Sequence, residues 1–146
     1  MNSTDRFALP LLEPGQAGKE ITHNEALLRL EAVLHPCVEA REANSPPEAP
    51  EPGRAWLLGE DPVGEWAGQA GKLALWTAGG WRFAKVVEGM AVWNRDGGCL
   101  IRQAGGTWVS ATAVPTPGGG GTVDVEARAA IAAIRSALVL HGLVQT

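Results

Sequence analysis

Tyrosine is absent from this chain of 146 residues, and phenylalanine occurs twice. Six tryptophans carry almost all the aromatic content, a biased set. Cysteine is scarce. Cys37 and Cys99 stand in no CxxC or zinc-like spacing, so they read as small buried thiols, with a single disulfide as the alternative. No apolar run approaches the roughly 18–20 residues of a membrane span, so membrane insertion is not expected. The opening Met1-Asn-Ser-Thr-Asp-Arg6 is polar and has no apolar core, so no secretory leader is expected and assembly in the cytoplasm follows. Basic charge is in deficit: Lys and Arg number 12 against 16 acidic residues, for a net charge of −4. A nucleic-acid partner is therefore not expected.

Catalytic and metal-binding patterns are also lacking. There are three histidines. His23 and His35 lie twelve residues apart, over three helical turns, and do not converge on one metal. His35-Pro36-Cys37 offers a nitrogen and a sulfur without the two further ligands zinc needs. No Gly-x-Ser-x-Gly occurs, and Ser110 and Ser136 have no patterned base. Gly118 to Gly121 lack the Gly-Lys-Ser/Thr of a phosphate loop. Glu60, Asp61 and Glu65 share one loop, and a glycosidase would need two carboxylates set at a defined separation in a cleft. An acidic surface loop is the commoner origin of such a group. Neither enzymatic activity nor a cofactor is expected.

What is present is punctuation, with 19 glycines and 10 prolines. Five segments follow. Residues 1–42 read as an extended arm, excluded from helix by Pro10 and Pro14, then a helix. Thr22-x-x-Glu25 has the form of a capping box, which predicts a helix start at Thr22, and Pro36 predicts its end near His35. Cys37 to Ala40 reads as a short strand. Residues 43–53 are an acidic, Pro-rich connector. Residues 54–111 are a Trp/Gly-rich antiparallel β unit. Residues 112–122 form a Pro/Gly linker, and 123–146 hold a second helix over roughly 123–141, capped by Thr122 or Asp124. The fold class expected is α+β, with two helices around a small β unit.

The β unit contains an internal repeat. Leu73-Ala-Leu-Trp-Thr-Ala-Gly-Gly-Trp-Arg-Phe83 aligns without gaps on Cys99-Leu-Ile-Arg-Gln-Ala-Gly-Gly-Thr-Trp-Val109, at an offset of 26 residues. Each copy predicts a β-hairpin turning on its glycines, preceded by a further strand. An insertion near Asp61 to Gly68 carries Trp66.

Tryptophan rings can stack on sugars, so Trp66, Trp76 and Trp81 are candidate glycan contacts. The competing expectation is that most of the rings fill a small sheet core. Trp66, in the insertion, is the candidate expected to be exposed. On the second helix, Ala127, Ile131, Ile134 and Leu138 recur by four and three, a heptad-like stripe. Ile131, Ile134 and Leu138 are the candidate oligomer or attachment residues.

The run Gly15-Gln-Ala-Gly-Lys-Glu-Ile-Thr-His-Asn-Glu-Ala26, followed by Pro-rich and then Trp-Gly-rich sequence, resembles an uncharacterised domain family of phage and prophage proteins common in alphaproteobacteria. It departs from that pattern at Gly18, where glutamine is usual. The Trp76-Thr-Ala-Gly-Gly-Trp-Arg-Phe83 segment also matches. The chain is similar to head-spike proteins of the Rhodobacter-type gene transfer agent. The resemblance spans roughly residues 6–110. It implies a non-enzymatic virion component, a head-spike base or fibre adaptor. The implied partners are sister subunits, capsid or other spike and fibre proteins, and host capsular polysaccharide. No catalytic residue is implied. Thr22, His23, Asn24 and Glu25 of the shared motif are read as a structural, helix-capping element.

Overall fold

The computed structural model describes residues 2–15 and 18–145. Gln16 and Ala17, part of the shared motif, lie outside the described residues, as do Met1 and Thr146. The fold is α+β. Two helices, α1 (Lys19–Val33) and α2 (Val125–Leu140), flank seven strands. These are β1 (Cys37–Val38), β2 (Ala55–Leu57), β3 (Leu73–Thr77), β4 (Gly80–Ala84), β5 (Ala91–Asn94), β6 (Cys99–Ala104) and β7 (Thr107–Ser110).

The two expected repeats appear as two antiparallel meanders, β2-β3-β4 and β5-β6-β7. Trp76 pairs directly with Trp81 across the first hairpin. The second hairpin turns on Gly105 and Gly106, both with positive φ (58° and 81°), the geometry a two-residue type I′ turn requires. The repeat is not gapless in space. The first turn uses Ala78-Gly79, whereas the second falls one residue later than the sequence alignment places it. The first strands of the hairpins correspond at the 26-residue offset and the returning strands do not.

Residues 36–43 stitch the meanders together. The carbonyls of Pro36 and Val38 accept the amides of Trp93 and Arg95, and β1 runs parallel to β5. The next residues face the other way. The Glu39 amide donates to Ala55, Ala40 accepts from Leu57, and the Ala43 amide donates to Leu57. This parallel junction departs from the all-antiparallel expectation, and it draws Ala43 out of the connector and into the sheet. Glu39 Oε1 adds ion pairs to Arg54 (2.9 Å) before β2 and to Arg95 (3.1 Å) after β5. The Arg54 guanidinium is held protonated above its ordinary range by hydrogen bonds to Glu51 and then Glu39.

The main core lies where the meanders and α1 meet: Ala32, Val38, Ala55, Leu57, Leu73, Leu75, Val92, Cys99 and Ile101 are all essentially buried. Cys37 and Cys99 are both free thiols.

Helix α1 begins at Lys19, not Thr22. Its N-cap is Gly18 in the left-handed region, with no side-chain cap, so the expected capping box does not form. The motif side chains are used elsewhere. Asn24 clamps the arm, accepting from the Leu12 amide (2.9 Å) and donating to its carbonyl (3.0 Å). Glu25 pairs with Arg82 on β4 at 2.7 Å.

The arm itself is folded back rather than extended. Ser3 bridges Pro10, and Thr4 exchanges hydrogen bonds with Leu9. It docks on the C-terminal end of α1. There Glu31, fully buried, accepts the amides of Arg6 (3.0 Å) and Phe7 (2.8 Å) on Oε1. The Arg6 guanidinium in turn donates to the carbonyls of Glu31 and His35, groups a helix end leaves without partners.

Candidate functional site

Three features carry the candidate residues: the tryptophan cluster, a cleft between the meanders, and α2.

The alternation of β3 sends Leu73 and Leu75 into the main core and Ala74 and Trp76 to the opposite face. Trp56 on β2, with Trp81 and Phe83 on β4, shares that second face by register. A 3₁₀ turn, Gly64–Trp66, folds the insertion over it. Trp66 is thereby fully buried, with ring centroids 6.1 Å from Trp56 and 5.0 Å from Trp81. Trp76 and Trp81 meet edge to face at 4.9 Å. This corrects the expectation that Trp66 is exposed: it is the keystone of a second small core and offers no face to a glycan. The reason is area, because a ring that buries 150–250 Å² has more to gain under the insertion than above it. Trp76 and Trp81 remain partly exposed. The Trp81 indole N–H donates to Glu65 Oε2 at 3.3 Å.

A cleft of about 800 Å³ lies where the first meander meets the second hairpin. Glu42, Asn44, Glu60, Asp61, Gln103 and Trp108 line it, among others. Glu60 and Asp61 thus reach a common concavity, and Glu65 is not among its lining residues. The carboxylates share the cleft with two amides and an indole, a set able to hydrogen-bond and stack on a polyhydroxylated ligand. Glu42 holds a positive φ of 56°, a costly conformation for a residue with a side chain. Gln103 Oε1 is buried with no hydrogen-bond partner among the described residues. Glu42, Asn44 and Gln103 were not singled out in the sequence. Only the strand pairing brings residues so far apart along the chain together. Among the described residues no group of three or more His, Cys, Asp or Glu side chains is placed to hold a metal ion.

Helix α2 is capped as expected, with Asp124 Oδ1 accepting the Ala127 amide at 2.8 Å. Its body is not packed: none of its residues is buried, Ile131 is 41% exposed and Ile134 60%. Leu138 is partly covered. Its anchor is the C-terminal end. Gly142 is buried against Trp93 and Cys99, and its carbonyl accepts the Leu100 amide at 2.8 Å. Gln145 closes the clasp, its amide on the Ala111 carbonyl and its side chain on Ser110. No described helix is long and apolar enough to cross a membrane.

His23 and Thr22 are exposed on α1 and meet neither the cleft nor the tryptophan cluster. A family profile described as "Protein of unknown function (DUF2793)" matches residues 23–109. No curated protein matches the chain.

Proposed function

This chain belongs to the DUF2793 family, and we propose that it is a non-enzymatic structural subunit of a phage-like particle, a head-spike base or fibre adaptor. The observation that carries the reading is α2: sixteen residues, strongly apolar, none of them buried. A lone helix of this length is marginal in water without a surface to pack on. The β unit behaves as its platform, since it spends its tryptophans on internal packing. In this reading the partners are sister subunits and capsid or fibre proteins, and the location is the particle. Resemblance to head-spike proteins, carried by residues 15–26 and 76–83, supports the setting.

The test uses particles purified from cells with and without the gene. Immunogold labelling should mark particle vertices or fibres, and Ile131→Glu with Ile134→Glu should release the protein from sedimented particles. Its absence from purified particles would refute the reading.

A second reading, direct contact with host capsular polysaccharide, is favoured by the cleft. Its carboxylates, amides and Trp108 are of the right chemistry, whereas Trp66 is withdrawn from solvent. Saturable quenching of tryptophan fluorescence by capsular polysaccharide, abolished by Glu60→Gln with Asp61→Asn, would establish it. No response to the polysaccharide would eliminate it.

A further inference from the structure

We propose that the groove between α1 and the free edge of β4 takes an extended acidic peptide segment, which adds to the first meander as a fourth strand.

The first meander runs β2-β3-β4, so the far edge of β4 has no partner strand. The direction of its main-chain groups follows from β3. The Trp76 amide donates to Arg54 and its carbonyl accepts from Gly53, so the Trp76 main chain points to the β2 side. Along an antiparallel strand this direction alternates, and Leu75 and Thr77 therefore bond β4 through Arg82 and Gly80. Trp81 and Phe83, opposite Trp76 and Ala74, point their main-chain groups away from β3, toward the free edge. The Arg82 guanidinium donates to the Trp81 carbonyl at 3.0 Å. That leaves the Trp81 amide and both main-chain groups of Phe83 without a partner among the described residues.

Helix α1 forms the other wall. Ala26, Arg29, Leu30 and Val33 recur at the spacing of one helical face, and they line a hollow together with Phe83. Leu30 is 51% exposed and Val33 38%, apolar surface that the chain itself does not cover. A second hollow, bordered by Lys72, Trp81 and Arg82, shares Arg29 and Phe83 with the first, so the two form one groove along the strand edge. A strand edge facing a helix suits the addition of a peptide strand. Main-chain hydrogen bonds then supply affinity, and alternate side chains supply selectivity.

Charge identifies the occupant. Arg29, Lys72, Arg82 and Lys85 line the groove against one carboxylate, Glu25, in a chain whose net charge is −4. Glu25 is engaged by Arg82 at 2.7 Å. The Lys72 ammonium donates to the neutral Gln69 Oε1 at 2.7 Å, and neither it nor Lys85 has an ion pair among the described residues. Cations along an open edge oppose pairing with β4 of a second copy, which would set like charges together. They favour a strand that carries carboxylates. By alternation Lys72 lies on the face of Ala74 and Trp76, whereas α1 packs through Ala32 on the face of Leu73 and Leu75. A segment alternating acidic and apolar residues satisfies both, with carboxylates on the lysine side and apolar groups against Leu30 and Val33.

Calorimetry on the full chain with a capped heptapeptide alternating glutamate and valine tests this. Saturable binding is expected. Hydrogen exchange at the Trp81 and Phe83 amides should slow on binding, while Arg82, already bonded to β3, is unchanged. Lys72→Glu with Lys85→Glu should weaken binding by about tenfold, with tryptophan fluorescence confirming the fold. A fully N-methylated peptide keeps every carboxylate but cannot donate along the edge, and should not bind. No saturation by about 1 mM peptide, equal binding of the N-methylated form, or unchanged exchange at Phe83 overturns the proposal. So does tighter binding of oligogalacturonate or single-stranded oligothymidylate that is lost in the same double variant. The readout lies on β4, so the result is independent of whether α2 attaches to particles.

Discussion

Replacing Glu31 with alanine should detach the N-terminal arm and cost about 3 kcal/mol. Glu31 is fully buried, and its Oε1 accepts two main-chain amides, from Arg6 and Phe7. Hydrogen bonds to a charged acceptor contribute roughly 1.5–3 kcal/mol each, so losing both removes about 3–6 kcal/mol. Part returns, because Oε2 is buried with no partner among the described residues, and deleting an unsatisfied polar atom recovers about 1–3 kcal/mol. Glu31→Gln separates the terms. It keeps an acceptor at the Oε1 position but not the charge, and neutral bonds have roughly half the strength, so the cost should be about 2 kcal/mol. Urea unfolding followed by tryptophan fluorescence gives both values. Hydrogen exchange at Arg6 and Phe7 locates the loss, and their protection should collapse in the alanine variant and persist in the glutamine variant. If Glu31→Ala lies within about 0.5 kcal/mol of wild type, or Glu31→Gln costs as much as alanine, the buried carboxylate is not what holds the arm.

Gly142→Ala should open the C-terminal clasp at a cost of about 2–4 kcal/mol. Its φ is 64° and an added Cβ would fall 2.3 Å from Trp93 Cζ3, so the Leu100 amide should lose exchange protection while the first meander keeps its own. Trp66→Ala should cost about 3–5 kcal/mol in urea unfolding by emptying the second core, whereas a loss under about 1 kcal/mol would mean the insertion does not cover Trp56 and Trp81. Asn24→Ala should cost about 1–2 kcal/mol through its two bonds to Leu12, and limited proteolysis should then cut within residues 8–15; unchanged resistance would contradict the clamp.

The strands were legible because their turns are written in glycine. Ala-Gly-Gly twice, each between β-forming runs, leaves few alternatives to two hairpins, and Asp124 ahead of an alanine-rich run marks the second helix as plainly. Thr22 and Glu25 misled because a capping box is a local pattern, and here nonlocal partners outbid it. Asn24 found the Leu12 main chain and Glu25 found Arg82, while Gly18 supplied the left-handed cap that lets the helix start a turn earlier. Trp66 misled because a polar, glycine-bearing insertion reads as surface. Its burial depends on a face built by Trp56, Ala74, Trp81 and Phe83, from three strands whose register no single segment encodes. The cleft was invisible for the same reason, since Glu42 and Gln103 are neighbours only after β1 has joined the two meanders.

The duplication also explains why one side of the molecule is finished and the other is not. Leu100 occupies in the second copy the place of Ala74 in the first, and Val109, opposite Arg102, that of Trp81, opposite Trp76. In the first copy the insertion closes over that face, so Ala74 is fully buried. The second copy has no such insertion, and Leu100 and Val109 are left 39% and 40% exposed on one face with Arg102 between them. The end of α2 is rooted on that face, since Gly142 packs against the ring of Trp93, which stands directly opposite Leu100. The root of α2 therefore lies beside the uncovered apolar surface of the second meander. A partner that covers α2 from its base would supply to the second repeat what Trp66 supplies to the first.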